Sequence, residues 1–287
     1  VGKEHSRLKW GTYIGISQDF EASNFASRWA IKKDSKAFGL NNYDEKQLSD
    51  SITPPLNNAR TVGALGGIVA SRIAREYSIG GPSHTFSSAE NSGLSALEAA
   101  VRALQRNEID TAVVGAVDFA GDLRNILAID KLRPYSRKAD SIPFELGSDG
   151  SFVGEGAGAI ILKRKDDAIK DGDRIFALIS GIGKGSSKRF KSKDSLETAY
   201  KKAMSEAWKE SGFKPENVVL LETNGSGFSP EDIVEAEAIA DFIPVKSGNE
   251  IAASKDKISN IYKYLDDLRY VWYWKTPEEE PSLKTDN

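Results

Sequence analysis

Five stretches of the chain are short, nearly unbroken runs of apolar and often β-branched residues: GTYIGIS at 11–17, TAVVGAV at 111–117, GAGAIILKR at 156–164, RIFALISGIG at 174–183 and NVVLLET at 217–223. Strict alternation would mark strands with one wet face; runs without it predict strands covered on both faces. The intervening segments have helical periodicity. Over 92–106, Leu94, Leu97, Val101 and Leu104 recur at three and four and predict one apolar stripe. The segment 61–77, rich in Gly and Ala with Arg72 and Arg75 near its end, predicts a tightly packed helix. Further helices are predicted over 196–211, where Tyr200, Met204 and Trp208 fall at intervals of four, and over 231–242. Strand and helix alternate in two successive blocks, with a turn at Asp171, Gly172 and Asp173. That pattern predicts an α/β fold of two similar halves, 1–165 and 166–271, with buried sheets between helix layers. Residues 272–287 mix aromatics with acidic residues and proline and are expected to be a linker or disordered tail.

The segment GPSHTFSSAENSGL, residues 81–94, reads as a short strand entering a helix through a tight turn, a place where many enzymes hold a nucleophile. The residue at that turn is Glu90. An anion at a helix start gains roughly 0.3–1 kcal/mol from the helix dipole. Two readings of Glu90 therefore stand open, a stabilising acid that caps the helix and a side chain that shapes a pocket.

Composition narrows the chemistry. The chain has 287 residues, 39% hydrophobic and 28% charged, as expected of a globular protein with a sizeable core. A formal charge of -3 leaves no global basic field for nucleic acid or an anionic membrane. The basic stretch KGSSKRFKSK at 184–193 is expected to be a solvated loop. No cysteine is present, which removes disulfides, thiolate metal sites and a cysteine nucleophile. His5 and His84 are the two histidines, too few for a histidine-rich zinc site or a two-histidine active site, and His84 is expected to be structural. No apolar run has the length of a membrane span and no signal peptide precedes the first strand, so a cytoplasmic location is expected. The sequon at Asn224 is then incidental. With Val1 first and Met204 the one methionine, the chain is expected to be a piece of a longer polypeptide. Gly154, Gly156 and Gly158 precede a strand and lack the helix of a nucleotide loop, so close packing between layers is expected of them.

The segment from 81 to 118, GPSHTFSSAENSGLSALEAAVRALQRNEIDTAVVGAVD, resembles the active-site segment of β-ketoacyl synthases, with Glu90 where that family has its cysteine. RPYSRKADSIPFELGSDGSFVGEGAGAIILKR at 133–164 resembles the same family's arginine-proline-phenylalanine and glycine-glutamate-glycine region. ETNGSG at 222–227 resembles the segment of the first catalytic histidine, here Asn224. IAASKDKISN at 251–260 resembles the segment of the catalytic lysine and second histidine; Lys255 matches the lysine and Asn260 stands for the histidine. The resemblance implies a thiolase-like α/β fold with mixed sheets, in a fragment that lacks the family's N- and C-terminal parts. The family's closing strands and oxyanion-hole loop are not recognisable. Within the family, 60–83 and 124–136 look most like the chain-length-factor type domains of polyunsaturated fatty acid and polyketide synthases.

The substitutions define what chemistry is expected. Thioester transfer needs a soft nucleophile of lowered pKa, and a carboxylate in its place would give a hydrolysable mixed anhydride. No catalytic residue for condensation is therefore expected. Asparagine donates a hydrogen bond but exchanges no proton near neutral pH, so Asn224 and Asn260 can orient a thioester without acting as acid or base. Lys255 is expected to form an ion pair with Glu90 or Glu222. The resemblance implies no cofactor or metal, phosphopantetheine-linked acyl groups as ligand, a carrier protein as one partner and an active ketosynthase as the other, met at a sheet edge around 79–86. Two rival readings remain: a malonyl-carrier decarboxylase supplying starter units, and a decayed structural fragment.

Overall fold

The computed structural model describes residues 7–16, 28–30, 33–34, 39, 44–55, 57–63, 65–119, 123–138, 141–145, 147–187, 192–218 and 220–243. They belong to two compact units, 1–129 with 153–178, and 130–152 with the rest from 179 onward.

The first unit is organised by a four-stranded sheet of β1 (Trp10–Ile16), β2 (Ser83–Phe86), β3 (Thr111–Phe119) and β4 (Glu155–Lys163), in the order β2-β1-β3-β4. β1 pairs in parallel with β2 and β3, and β4 runs antiparallel to β3. The expected strands at 11–17, 111–117 and 156–164 are these elements. Helices described wholly in this unit include α1 (Glu45–Ile52), α2 (Asn58–Gly63), α3 (Ile68–Glu76), α4 (Ser92–Gln105) and α6 (Lys165–Asp171). α5 (Leu123–Leu132) runs from the first unit into the second. α3 packs on β1 and β2, and α4 packs on β1, β2 and β3.

Strand alternation sends Thr12 and Ile14 to one face of the sheet and Tyr13 and Gly15 to the other, where α4 lies. Tyr13, Ala112 and Val114 form the core there with Ala96, Ala100, Ala103, Leu104 and Ile109. The face of α4 turned to the sheet is thus the row Ser92, Ala96, Ala100, Ala103 with Leu104; of the leucine stripe expected from periodicity, Leu104 is in the core and Leu97 packs against it, while Leu94 is 65% exposed. The reason is distance. A Cβ added at Gly15 would lie 2.5 Å from the backbone of Ser92 and Gly93, so the helix start rests directly on the strand and only small side chains fit between. The single helix expected over 61–77 is instead α2 and α3, separated around Gly66 and Gly67. Glycine costs about 1 kcal/mol per helical position relative to alanine, and three fall between 63 and 67.

Arg164 ties the end of β4 to the end of α4. Its Nη1 donates to the carbonyls of Leu104 and Ile109 at 3.1 and 2.6 Å, its Nη2 to Asp110 and its Nε to Asp167, each at 2.6 Å. A cation is favoured at these C-terminal carbonyls. The expected turn after α6 is present, with Gly172 in the left-handed region at φ 71°.

The second unit contains α7 (Lys193–Ser211) and α8 (Ser229–Phe242), which pack on each other. Lys193 pairs with Glu237 at 2.8 Å, and Lys201 with Asp241 and Glu197 at 2.5 and 2.6 Å. Neither 174–183 nor 217–223 is a paired strand among the described residues, contrary to expectation. The end of the first, from Gly181, lies along a helix. Gly181, Gly183 and Gly185, two apart on an extended chain, meet the backbone at Ala207, Ala203 and Ala199, four apart on α7. Two extended residues advance about 6.6 Å and four helical residues about 6 Å, so the rows stay in register. The alternate amides, of Ile182 and Lys184, donate to the carboxylates of Glu210 and Glu206 at 3.0 and 3.2 Å. Helix side chains thereby take amides that a strand would give to a sheet. At 217–223 the first amides close a short 3-10 turn, Asn217 to Lys214 and Val218 to Pro215.

Gly154, Gly156 and Gly158 also depart from expectation. A Cβ at any of them would meet nothing within 4 Å among the described residues, so they are not close-packed.

Candidate functional site

The turn before α4 is built from backbone and one hydroxyl. β2 ends at Phe86, Ala89 takes φ 50°, and Glu90 follows it, paired through a short parallel bridge with Ser88. Positive φ in a non-glycine residue costs energy and persists only where surroundings enforce it. The enforcing group is Ser92, buried at the first position of α4: its hydroxyl accepts from the Ser88 amide at 2.8 Å and donates to the Ala89 carbonyl at 2.5 Å. The N-cap position is Asn91, one residue past Glu90, and Glu90 is exposed. Ser92→Ala is expected to lower stability by about 1–2 kcal/mol, read from urea unfolding, because the Ser88 amide and the Ala89 carbonyl lose their shared partner. His84 stands on β2 among aromatic rings, 5.8 Å from Tyr13 and 6.3 Å from Phe86 between centroids.

The loop that carries Asn224 belongs to the second unit and is held by two buried carboxylates of α8. Glu235 accepts from the amides of Asn224 and Gly225 at 2.7 and 3.0 Å. Asp232 accepts from the Ser226 hydroxyl at 2.8 Å and from the Phe144 amide at 2.9 Å. Gly227 has φ 68°, and a Cβ there would lie 2.6 Å from the Gly150 carbonyl, so a side chain would part the loop from its neighbour. The Ser229 hydroxyl closes the same seam by donating to the Ser148 carbonyl at 3.0 Å. Burial raises the Glu235 carboxyl above the ordinary range, with the amide bonds acting against that rise. Burial, with Glu235 and Glu231 nearby, likewise pushes the Tyr200 hydroxyl up to about 12.

Asp232 and Glu235 were not anticipated from the sequence. The signal available was two acids three apart beside Val234, Ala236 and Ala238, immediately downstream of a glycine-rich loop. Of the expected site residues, Glu90 lies in the first unit and Asn224 in the second, while Lys255 and Asn260 lie outside the described residues, as do His5 and 272–287. Among the described residues no group of three or more His, Asp or Glu side chains is placed to hold a metal ion. No helix among them is long and apolar enough to cross a membrane.

The mixed sheet with its packed helices has the thiolase-like fold of the ketosynthases. Solved structures similar to this chain include ketosynthases. One is the ketosynthase from module 6 of the bacillaene synthase of Bacillus subtilis 168, with a TM-score of 0.61 and 24% identity, covering 85% of this chain and 38% of that one. Another is the type II polyketide synthase complex AntDE:AntF (apo), an acyl-carrier protein in complex with its ketosynthase bound to the hexaketide, with a TM-score of 0.67 and 18% identity, covering 84% of this chain and 58% of that one. Family descriptions match as "Beta-ketoacyl synthase, N-terminal domain" over residues 6–168 and "Beta-ketoacyl synthase, C-terminal domain" over 176–260. The chain belongs to the β-ketoacyl synthase family. Curated relatives include probable polyketide synthase 17 of Dictyostelium discoideum, 30% identical over 77% of this chain and 9% of that protein. Polyketide synthase PksR of Bacillus subtilis is 27% identical over 82% of this chain and 10% of its own length. The chain thus spans about a tenth of such relatives and is similar to their ketosynthase-type domains.

Proposed function

We propose that this chain is a non-condensing ketosynthase-like domain of the chain-length-factor type, which pairs with an active β-ketoacyl synthase in iterative polyketide or fatty acid synthesis and shapes its acyl tunnel. The observation that carries this reading is Glu90 at the turn into α4, in a chain without a cysteine. A carboxylate there accepts no acyl group from a thioester in a form that survives water. Asn224 supports the same reading, since its amide side chain supplies a hydrogen bond and no proton. The scaffold around both positions is nonetheless intact, with Ser92 stapling one turn and Asp232 and Glu235 the other. Lys255 and Asn260 complete the proposed set of family-equivalent positions. Pairing is proposed through β2, which is an edge strand and has no strand neighbour on its outer side among the described residues. The proposed ligand is an acyl group on the phosphopantetheine of a carrier protein, with no cofactor of the domain's own.

The test uses the protein with a malonyl-loaded carrier protein and follows loss of carbon dioxide by intact mass, comparing wild type with Glu90→Ala. No loss above the uncatalysed rate in either, together with copurification of a coexpressed synthase, is the expected result. Loss that depends on Glu90 would make the domain a decarboxylase and overturn the reading.

A further inference from the structure

Both oxygens of the Glu235 carboxylate are committed to consecutive main-chain amides, Oε1 to Asn224 and Oε2 to Gly225. The side chain is only 5% exposed. A carboxylate removed from water keeps its charge at a cost that such donors offset in part. Among the described residues its charged surroundings are mostly of like sign. Asp232 and Glu231 face it from its own helix, Tyr200 from α7 remains neutral, and Arg133, after α5, is paired with Glu231 at 3.2 Å. Among the described residues, the bonds to Asn224 and Gly225 are what favours the charged form, and the charge is what makes those bonds strong.

We propose that Glu235 is an acid-sensitive latch: on taking up a proton it releases one of the two amide bonds at Asn224 and Gly225, and the 222–228 loop loosens while α8 stays folded. A neutral carboxyl has one carbonyl acceptor of reduced strength and one hydroxyl, whose oxygen is a poor acceptor for an amide. The direction of linkage makes the event local. Burial raises the Glu235 pKa in the folded chain, so the folded state holds this proton more tightly than the unfolded state does. Its contribution to stability is full below the unfolded pKa and is lost as pH rises through the folded one, so acidification does not unfold the chain through Glu235. The loop responds as a segment of low local stability. Asp232 keeps its own bonds to Ser226 and Phe144, which bounds the movement at the far end of the loop. The latch is independent of whether the domain condenses, decarboxylates or does neither.

The experiment is a pH titration of the full chain between about pH 4 and 8, labelled so that the amide signals of Asn224 and Gly225 and the side-chain carboxyl carbon of Glu235 are read together by NMR. All three are expected to move with one midpoint above about 4.3, the ordinary glutamate value. Protection of the two amides from exchange, corrected for its intrinsic pH dependence, is expected to fall about tenfold across that midpoint, the loss of one charge-assisted bond. In Glu235→Gln the pH-dependent movement is expected to vanish. Amide signals that stay flat while the carboxyl carbon titrates would overturn the proposal, as would a carboxyl midpoint at or below the ordinary value or amide movement that persists in Glu235→Gln. Should that variant fail to fold, coincidence or divergence of the wild-type midpoints decides alone.

Discussion

Gly183→Ala is expected to destabilise the second unit by on the order of 3 kcal/mol or more, the largest loss from adding a single methyl group anywhere in the described chain. The added Cβ would lie 1.8 Å from the Ala203 carbonyl oxygen and 2.6 Å from the Ala207 amide nitrogen. Both obstacles are helix backbone and cannot rotate aside as a side chain would. The segment must lift from α7, and in lifting it parts the Ile182 and Lys184 amides from Glu210 and Glu206. Gly158→Ala is the matched control. Its Cβ meets nothing within 4 Å among the described residues, so its effect is expected to stay within about 0.5 kcal/mol. Urea unfolding of the two variants against wild type measures both; equal midpoints would show that the extended segment does not lie on α7.

Asp232→Ala is expected to cost about 3 kcal/mol, because it strands the Ser226 hydroxyl and the Phe144 amide together in a site where the carboxylate is only 2% exposed. Phe144 itself has φ 65°, a strained conformation that Asp232 helps to hold by accepting from its amide. Asp232→Asn retains one acceptor oxygen and is expected to cost less than half as much. The comparison is again read from urea unfolding, and equal losses from both variants would show that the charge, and not the number of acceptors, holds the seam.

These two predictions mark the limit of what was legible in the chain. Apolar runs at 11–17, 111–117 and 156–164 became strands of one sheet, and the stretches 92–106, 196–211 and 231–242 became helices within a few residues of their expected bounds. Such elements are encoded by local periodicity, which repeats within a turn or a pleat and needs no partner to be read. The strand, turn and helix around Glu90, and the glycine-rich loop at Asn224, were legible for the same reason.

What the tertiary structure decided was which neighbour each element meets. Periodicity placed Leu94 on the inner face of α4, yet the close contact of Gly15 with Ser92 and Gly93 leaves room only for small residues at the helix start, and Leu94 turns outward while Leu104, at the other end, stays in the core. The stretch 174–183 has the composition of a buried strand, but its glycines match the alanine spacing of a helix that begins at Lys193, and two acids of that helix take its amides. Asp232 and Glu235 looked like ordinary helix acids until the fold set their oxygens against the amides of Phe144, Asn224 and Gly225. Sequence alone determined which residue types stand at Glu90 and Asn224, the positions on which the proposed function rests. Hydrogen bonds and close approaches between residues far apart in the chain determined how those positions are held, because such contacts depend on distances in space that no local pattern records.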